Sequence, residues 1–438
     1  MPRHDHRPSV PITVTAAVVL AATGVVAGAR PAVAAGTQPA TGTVYYVDSV
    51  HGDDARSGAS PAQAWRTLSR ANGAPLTPGD QLLLARGSRF PDRLVIGASG
   101  TADAPILISA YGATGNHPVI ESTPTDGHCV TLDGSHLTMT YLDIHNCAGW
   151  QGGVLIRGSS VVVSHNIVSN NTTGIEVDQN SADARILDND IVNNNRMIVN
   201  TPNGGDDDYG AFGILLHGLR TEVAGNRISG SDAFSHDYGR DGGAVEVYGG
   251  RQNVIHHNVS VDNVAFAELG SATSQGNVYA YNVVRSTLDI AAGLVTRGAR
   301  DGFGPVTGTV FRHNTVYLTG AQSYGLACYG GCDATILEAR DNVLVAGYRS
   351  GFTDGAYAGG NNIYHGSTFD GVPAADDTWA DPLFRDAAAG DLHPTAASPM
   401  VDTATDTSYP TDLDGITVPL DGNHDGVAAP DRGAYEYH

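Results

Sequence analysis

Four acidic residues have the type and spacing of a set of catalytic carboxylates. Glu176, Glu246 and Glu268 each take the second place of a short segment whose flanking residues are apolar, as in Val245-Glu246-Val247. Side chains alternate between the two faces of a strand, so the three carboxylates are predicted to share one outward face. Glu246 and Glu268 fall on neighbouring strands, which places them about 5 Å apart, the spacing of a retaining glycosidase.

The remaining acidic candidates serve as alternatives to this pair. Glu176 and Glu246 are two strands apart, about 9.6 Å, which approaches the spacing of inverting glycosidases. Asp241 lies at the start of the Glu246 segment. Two close carboxylates repel each other, so one of them is expected to keep its proton and to act as the general acid. The leading hypothesis is therefore hydrolysis of a glycosidic bond by paired carboxylates, without a required cofactor.

Other polar residues are expected to bind a substrate along the same face. Three long loops, at 195–212, 231–242 and 299–306, cluster around the segments that carry the acidic residues. Loops gathered on one face usually carry function. The residues assigned to substrate binding are Tyr248, Tyr238, Arg240, Arg297, Asp178 and Asp208.

A second hypothesis uses the same groove for proton abstraction beside a uronate carboxylate. A lyase or epimerase of this kind needs a base and an acid, for which His217 and Tyr238 or Tyr248 are available. It also needs a cation to neutralise the uronate, which Arg240, Arg297 or a calcium ion could supply. A third hypothesis is a non-catalytic glycan-binding or adhesin solenoid, in which the outward residues are polar because they face water.

The segments that carry these residues recur along the chain from about residue 130 to residue 329. They begin at Val130, Val154, Ile175, Ile214, Val245, Ala267, Leu294 and Leu326. Each is followed by a polar marker, namely Asp143, Asn166, Asn189, Asn226, Asn258, Asn282, Asn314 and Asn342. Most markers are about 23 to 32 residues apart, the period of a solenoid of parallel strands. Asn is expected to adopt the left-handed backbone at the bends and to hydrogen-bond from coil to coil.

This repeat resembles the right-handed parallel β-helix, or pectin-lyase-like, superfamily of secreted carbohydrate-active proteins. The resemblance covers roughly residues 95–365 and implies an all-β solenoid with N-terminal and C-terminal caps. The scaffold hosts lyases, hydrolases, epimerases, tailspikes and adhesins, so the resemblance indicates fold more than function. Some lyases on this scaffold use Lys as the base, whereas all 24 basic residues of this chain are Arg. The expected organisation is an export signal at 1–34, a leader and cap at 35–95, the β-helix at 96–365 and an irregular cap at 366–438.

The N-terminal residues predict export. Arg3 and Arg7 precede a mainly apolar stretch at 10–29, and small residues at 32–34 form a cleavage site. We therefore expect a secreted, extracellular monomer without a membrane span. The formal net charge is −22, which argues against nucleic acid as a partner and favours neutral polysaccharides over polyuronates.

The ends of the repeat are expected to be structural. The predicted leader has strands at 44–47, 80–86 and 94–96, a helix over 61–68, and Trp65 as a packing residue, like Trp379 at the other end. Residues 421–426 have the spacing of the first half of a calcium loop. Position twelve of that loop is Arg432, so a turn-rich cap is preferred and calcium is the alternative.

Four cysteines in an exported chain predict disulfides. Cys129 and Cys147 begin and end one coil and can bridge. Cys328 and Cys332 could close a small loop, but the alternation places Cys328 inward, which counts against that pair. No spacing among these cysteines is typical of a zinc site.

Overall fold

The alternating segments form short parallel strands that stack into three long sheets. The computed structural model describes residues 42–122, 127–147, 152–203 and 205–438, and the predicted export signal lies outside these ranges. Each coil contributes a strand to each sheet in turn and pairs in parallel with the coils before and after it. The predicted all-β parallel β-helix is confirmed.

The strands of the three sheets have the following bounds in the described part of the chain. Sheet 1 contains Val44–Val47, Gln81–Ala85, Ile106–Tyr111, Leu137–Thr140, Val162–Ser164, Arg185–Leu187, Glu222–Ala224, Val254–His256, Val278–Ala280, Thr309–Arg312, Leu337–Arg340 and Ala358–Gly360. Sheet 2 contains Arg89–Phe90, Val119–Ile120, Asp143–His145, Ile167–Ser169, Asp190–Val192, Arg227–Ser229, Val259–Val261, Val283–Ser286, Thr315–Leu318, Val343–Ala346, Ile363–His365 and Thr378–Trp379. Sheet 3 contains Leu94–Ile96, Val130–Leu132, Val154–Ile156, Thr173–Val177, Phe212–Leu216, Gly243–Tyr248, Ala265–Gly270, Ala292–Arg297, Tyr324–Tyr329, Arg349–Thr353 and Thr368–Asp370.

Smaller elements decorate the coil. Two antiparallel hairpins precede successive strands of sheet 3, and a third lies in the C-terminal tail; their strands are Met197–Val199 with Tyr209–Gly210, Ala233–Ser235 with Gly239–Asp241, and Phe384–Asp386 with Asp391–Pro394. The helical elements are Pro61–Gln63 and Ala387–Ala389, both 3-10, and the α-helix Leu68–Asn72. Among the described residues, no helix has the length and apolar character needed to cross a membrane.

The inward positions of the repeat form one continuous core. Val245 and Val247 on the Gly243–Tyr248 strand are fully buried, as are Ala267 and Leu269 on the next strand. Burying one such aliphatic side chain stabilises a fold by roughly 1.5 to 3 kcal/mol, and each coil adds several of them. A single coil could not exclude water from its inner face, so the coils are stable only as a stack.

A column of buried asparagines joins the coils at the corner between sheets 1 and 2. The Oδ1 atom of Asn258 accepts hydrogen bonds from the backbone N–H of Asn226 at 2.9 Å and from its Nδ2 at 3.0 Å. Asn258 in turn donates its Nδ2 to Oδ1 of Asn282 at 3.0 Å. The same pattern repeats from Asn166 to Asn362, where Asp377 accepts the last pair of bonds. This confirms the predicted bonding from coil to coil.

The residue that takes the left-handed backbone is not the ladder asparagine, which corrects the sequence interpretation. It is the residue immediately before it, as at His165, His257 and His313, with φ of 56°, 54° and 48°. The ladder asparagine must turn its side chain inward to reach the next coil. The sharp bend therefore falls on its neighbour.

The ends of the chain differ in detail from the predictions. The strands predicted at 44–47 and 94–96 are present and already belong to sheets 1 and 3. The predicted helix over 61–68 is wrong, because a 3-10 turn ends at Gln63 and the α-helix begins at Leu68, with the buried Trp65 between them. Trp379 packs against the buried Tyr364 at a ring distance of 5.6 Å but is 53% exposed, since it lies on the last strand of sheet 2.

The calcium-like loop at 421–426 is a turn closed by its own backbone. Oδ1 and Oδ2 of Asp421 accept the N–H groups of Asp425 and Gly426 at 3.1 and 3.0 Å. Asn423 and Asp425 accept further N–H groups within the same turn. The turn-rich interpretation accounts for every one of these bonds, and calcium at this loop stays a prediction.

Both cysteine pairs form disulfides. Cys129 bonds to Cys147, as the sequence predicts. Cys328 bonds to Cys332, so the objection from its inward position was wrong. Cys332 is itself 5% exposed and turns into the same core, which lets an inward Cys328 reach it.

Candidate active site

The predicted column of outward carboxylates is present on sheet 3. The strand register pairs Glu176 with Leu215, Leu215 with Glu246, and Glu246 with Glu268. Val295 follows Glu268 on the next strand. Glu246 and Glu268 therefore lie on adjacent strands, whose backbones are separated by about 4.8 Å.

Arg297 binds one member of this pair. Its Nη2 forms an ion pair with Oε1 of Glu268, and its Nη1 donates to the backbone carbonyl of Leu269 at 2.7 Å. Its Nε donates to the hydroxyl of Tyr329 at 3.1 Å and lies 3.6 Å from Oδ1 of Asp301. Burial opposes the charge of Arg297, but Glu268 outweighs this effect and raises its pKa. The guanidinium thus stays charged beside Glu268.

Glu246 has the opposite environment. Burial raises its pKa well above the usual range, and the negative charges of Glu268 and Asp241 raise it further. Arg297 acts against this rise but does not cancel it. Within the described part of the chain, no group hydrogen-bonds the Glu246 carboxyl. The pair is therefore divided into a carboxyl that keeps its proton and a carboxylate bound by an arginine.

Asp241 is a third acidic group at the edge of the same site. It lies on the second strand of the hairpin Ala233–Ser235/Gly239–Asp241, immediately before the Glu246 strand. Burial and the nearby Glu268 raise its pKa to about 7, against a hydrogen bond from the N–H of Gly242. Three carboxyl groups thus share one small region, and they do not all ionise at neutral pH.

Glu176 is bound between two histidines. Its Oε2 lies 3.1 Å from Nε2 of His128, and its Oε1 lies 3.9 Å from Nε2 of His217. Nδ1 of His217 is 2.6 Å from the carbonyl oxygen of Tyr248, so Nδ1 carries a proton. His128 is 1% exposed, and burial lowers its pKa. The sequence analysis missed His128, because it precedes its strand and lies 48 residues from Glu176.

The two hairpins beside the site are joined through the buried Asp208. Its Oδ2 accepts from the hydroxyl of Ser235 at 2.8 Å and from the N–H of Asp237 at 2.9 Å. Its Oδ1 accepts from the N–H of Thr201 at 2.8 Å. In return, Oδ2 of Asp237 accepts the N–H groups of Asp207 and Asp208. Asp208, whose binding of substrate stays a prediction, fastens one hairpin to the other.

Among the residues that the structure describes, this junction is the one cluster of acidic side chains whose geometry could hold a cation. Single oxygen atoms of Asp207, Asp208 and Asp237 lie within 4.8 Å of one another. Asp207 accepts the hydroxyl of Thr201, so all three carboxylates already have donors from the protein. The bonds explain the cluster without an ion.

Several predicted binding residues are already paired within the protein. The hydroxyl of Tyr238 donates to Oδ1 of Asp206, and Arg240 forms a two-pronged ion pair with Asp232. Asp178 accepts the N–H and Nδ2 of Asn180 at 2.9 Å and closes a turn. Tyr248 is the predicted binding residue that stays open, with 45% of its surface exposed.

Comparisons with known proteins support the fold. Residues 99–228 match the family described as "Right handed beta helix region". A lacto-N-biosidase from Bifidobacterium longum subsp. longum is 46% identical over 93 residues, which are 20% of this chain. Those residues cover 6% of that relative, so the chain spans a small part of its length.

Solved structures with the same architecture include enzymes of two reaction classes. The GH136 lacto-N-biosidase from Eubacterium ramulus has a TM-score of 0.53 at 17% identity, covering 76% of this chain and 67% of that one. Pectate lyase Pel9A has a TM-score of 0.56 at 16% identity, covering 90% of this chain and 96% of that one. At such identities the likeness concerns the fold. The partial family match and these structures agree with the right-handed parallel β-helix fold of the chain.

Proposed function

We propose that this protein is a carbohydrate-active enzyme of the glycoside hydrolase type, with Glu246 and Glu268 as the catalytic pair. The observation that carries the proposal is that the two residues lie on adjacent strands but have opposite electrostatic environments. Arg297 binds Glu268, while Glu246 is unpaired among the described residues and has a raised pKa. Such a division into acid and carboxylate is what glycoside hydrolysis requires.

The position of Glu246 and Glu268 on adjacent strands favours a retaining reaction in two steps. In the first, Glu246 gives its proton to the glycosidic oxygen while a carboxylate oxygen of Glu268 attacks the anomeric carbon. The leaving sugar departs with the proton, and a covalent glycosyl-enzyme remains. In the second, Glu246 takes a proton from water, whose oxygen displaces Glu268 from the anomeric carbon. Arg297 disperses the charge of Glu268 as it leaves.

The partnered state of the arginines disfavours the lyase alternative. Arg297 binds Glu268, and Arg240 binds Asp232. A uronate entering the groove would have to displace a protein carboxylate to gain a cation, and it would approach the unpaired Glu246 and Asp241. The hydroxyl of Tyr238 donates to Asp206. Burial, and to a lesser extent this hydrogen bond, raise the pKa of Tyr238, which makes it a poor base. The substrate proposed is therefore a neutral glycan.

The relatives support glycoside hydrolysis, and the N-terminal sequence supports secretion. The partial relative and one structural neighbour are lacto-N-biosidases, which are glycoside hydrolases by name. A basic start followed by an apolar stretch and small residues supports secretion, where a glycan would be met. No cofactor is needed for the proposed steps.

The test is an activity screen of the purified protein with matched variants. The substrates are neutral oligosaccharides, including those used for lacto-N-biosidases, together with polygalacturonate and alginate. Release of reducing ends without ultraviolet absorbance of unsaturated uronates is expected. The variants Glu246→Gln and Glu268→Gln should each lower kcat by about 10²- to 10⁴-fold, the usual contribution of such a group.

The control is Glu338→Gln, a partly exposed glutamate on sheet 1, which should leave kcat unchanged. Absorbance from a uronate substrate that survives Glu246→Gln would reject the hydrolase assignment and favour His217 as a base. If both Gln variants still release reducing ends at the rate of the unmodified protein, Glu246 and Glu268 are not the catalytic pair.

A further inference from the structure

An exposed aromatic pair lies beside the acidic pair on the C-terminal side of its strands. Tyr248 is two residues beyond Glu246 and pairs in register with Gly270, two residues beyond Glu268. Tyr248 is 45% exposed and Phe303, from the loop after Arg297, is 40% exposed. Large apolar surfaces are usually buried, so two rings left open next to polar chemistry point to a ligand.

Gly270 makes room for this arrangement. A Cβ atom at position 270 would lie 3.2 and 3.3 Å from Cδ2 and Cε2 of the Tyr248 ring, and 3.6 Å from Cβ of Phe303. The Tyr248 ring therefore lies across the neighbouring strand at the one place where that strand has no side chain. The Tyr248 ring and Cβ of Phe303 both lie close to Gly270, and we call these two exposed aromatic side chains the platform.

The platform is fixed to the catalytic carboxylate through Arg297. The N–H of Phe303 donates to Oδ1 of Asp301 at 2.9 Å, and the same oxygen lies 3.6 Å from Nε of Arg297. The guanidinium carbon of Arg297 is 5.7 Å from the centre of the Phe303 ring. The group that binds Glu268 thus also positions Phe303. A sugar held on the ring would keep a set distance from the reacting carboxyl groups.

We propose that Tyr248 and Phe303 form a sugar subsite, in which the C–H face of a neutral pyranose stacks on the two rings. The inference rests on the proposed function and deepens it by naming a specificity-determining residue, Phe303. Aromatic rings bind the apolar face of a ring-shaped ligand and leave its hydroxyl edge to polar neighbours. Substrates with most hydroxyl groups equatorial offer such a face, and charged sugars would meet the acidic groups beside it.

Binding is measured separately from turnover to keep the two proposals distinguishable. Calorimetric titrations use cellohexaose, xylohexaose, chitohexaose and lacto-N-tetraose on the Glu246→Gln protein, which retains the platform. Phe303→Leu and Phe303→Tyr are then introduced into that protein. We expect Phe303→Leu to weaken binding of at least one neutral probe by about tenfold and Phe303→Tyr to preserve it, because only the Leu side chain lacks a ring.

The matched control is Tyr348→Ala, a tyrosine with 42% exposure before the Arg349–Thr353 strand, which should leave binding unchanged. In the active protein, Phe303→Leu should raise KM by a similar factor without moving the pH profile. Equal affinities of the Leu and Tyr variants for every probe, or absence of neutral-probe binding, would overturn the subsite. If the active protein hydrolyses no neutral substrate but Phe303→Leu still weakens probe binding, only the proposed reaction is overturned.

Discussion

Under the proposed function, the charges around single residues decide which carboxyl group of the acidic site acts as the acid. Glu268 forms an ion pair with Arg297, while burial and the charges of Glu268 and Asp241 raise the pKa of Glu246 against the opposing charge of Arg297. Burial and the nearby Glu268 raise the pKa of Asp241 to about 7. One further arginine beside Glu246 would ionise it and leave the site without an acid. The proposed role of Glu246 as the acid therefore depends on the lack of an arginine bound to its carboxyl as much as on its burial.

Replacing Asp241 by Asn should move the alkaline limit of activity to lower pH. The charge of Asp241 raises the pKa of Glu246, so removing it lets Glu246 lose its proton earlier as pH rises. We expect the alkaline limb of the kcat/KM profile to move to lower pH, with the acid limb less affected. The measurement is kcat/KM against pH for both proteins on one neutral substrate.

Two results would contradict this account. An alkaline limb that stays in place, or moves to higher pH, would show that Asp241 does not raise the pKa of Glu246. A collapse of activity at every pH would make Asp241 itself the acid. Asp183→Asn, which alters an exposed ion pair with Arg220 on another face, is the control and should change neither limb.

The alternation of side chains was enough to predict which carboxylates share one column of sheet 3. Glu176, Glu246 and Glu268 fall in one column because a strand has a period of two and the buried neighbours define its register. The partners of these residues could not be predicted in the same way. Arg297 and His128 reach their carboxylates from 29 and 48 residues away, and no local pattern encodes such contacts.

At the scale of elements, the two hairpins form a wall beside the acidic column. Each is inserted between a strand of sheet 2 and the following strand of sheet 3, and Asp208 joins them. Burial opposes charge on the Asp208 carboxyl, but the N–H of Asp237 and the hydroxyl of Ser235 outweigh it and lower the pKa. The junction is built to hold an ionised carboxylate.

Replacing Asp208 by Ala should loosen the wall while leaving the coil folded. The N–H groups of Thr201 and Asp237 and the hydroxyl of Ser235 would lose their shared acceptor. We expect KM to rise several-fold, kcat to change by less, and limited proteolysis to cut faster between residues 199 and 209. Asp183→Ala is the matched control, since its exposed carboxylate lies away from the hairpins. Unchanged proteolysis and KM would show that the hairpins are held without Asp208.

These hairpins were predicted only as long loops. Their strands have two or three residues each, which is too short for an alternating pattern to be recognised. Asp208 was predicted to bind substrate because it lies in one of these long loops. Its role in joining the hairpins depends on a contact between two coils, which a single segment does not reveal.

At the scale of the whole molecule, the asparagine column should carry a large share of the stability. Asn258 accepts from the backbone and side chain of Asn226, and donates to the carbonyls of Val223 and His256 and to Asn282. Replacing it by Ala would leave buried donors and acceptors unpaired on both sides. Each such group costs about 1 to 3 kcal/mol.

We therefore expect Asn258→Ala to lower the free energy of unfolding by about 3 to 5 kcal/mol. The measurement is the shift in Tm and in the urea midpoint. Asn180→Ala, at an exposed turn, should change the free energy of unfolding by less than about 0.5 kcal/mol. Equal effects of the two substitutions would show that water or a rearranged backbone replaces the lost bonds.

The coil could be predicted from the sequence because its period is repeated, whereas its ends could not. Each coil repeats the same pattern of apolar and polar positions. A wrong strand assignment in one coil is therefore revealed by comparison with the next coil. The helix predicted over 61–68 had no such repetition, and Trp65 interrupts it by turning into the core. At the other end, Cys328 and Cys332 meet because both enter the core, which a two-residue alternation does not foresee.

The corner that carries the asparagines also determines where the chain can change its length. In every coil from Leu137–Thr140 to Ala358–Gly360, two residues separate the strand of sheet 1 from the strand of sheet 2. An insertion there would push an asparagine out of the column and disturb both neighbouring coils. An insertion ahead of Phe212 or Gly243 lengthens a hairpin and leaves the column intact. Under the proposed function, exchange of these loops could change which sugar is bound without displacing an asparagine from the column.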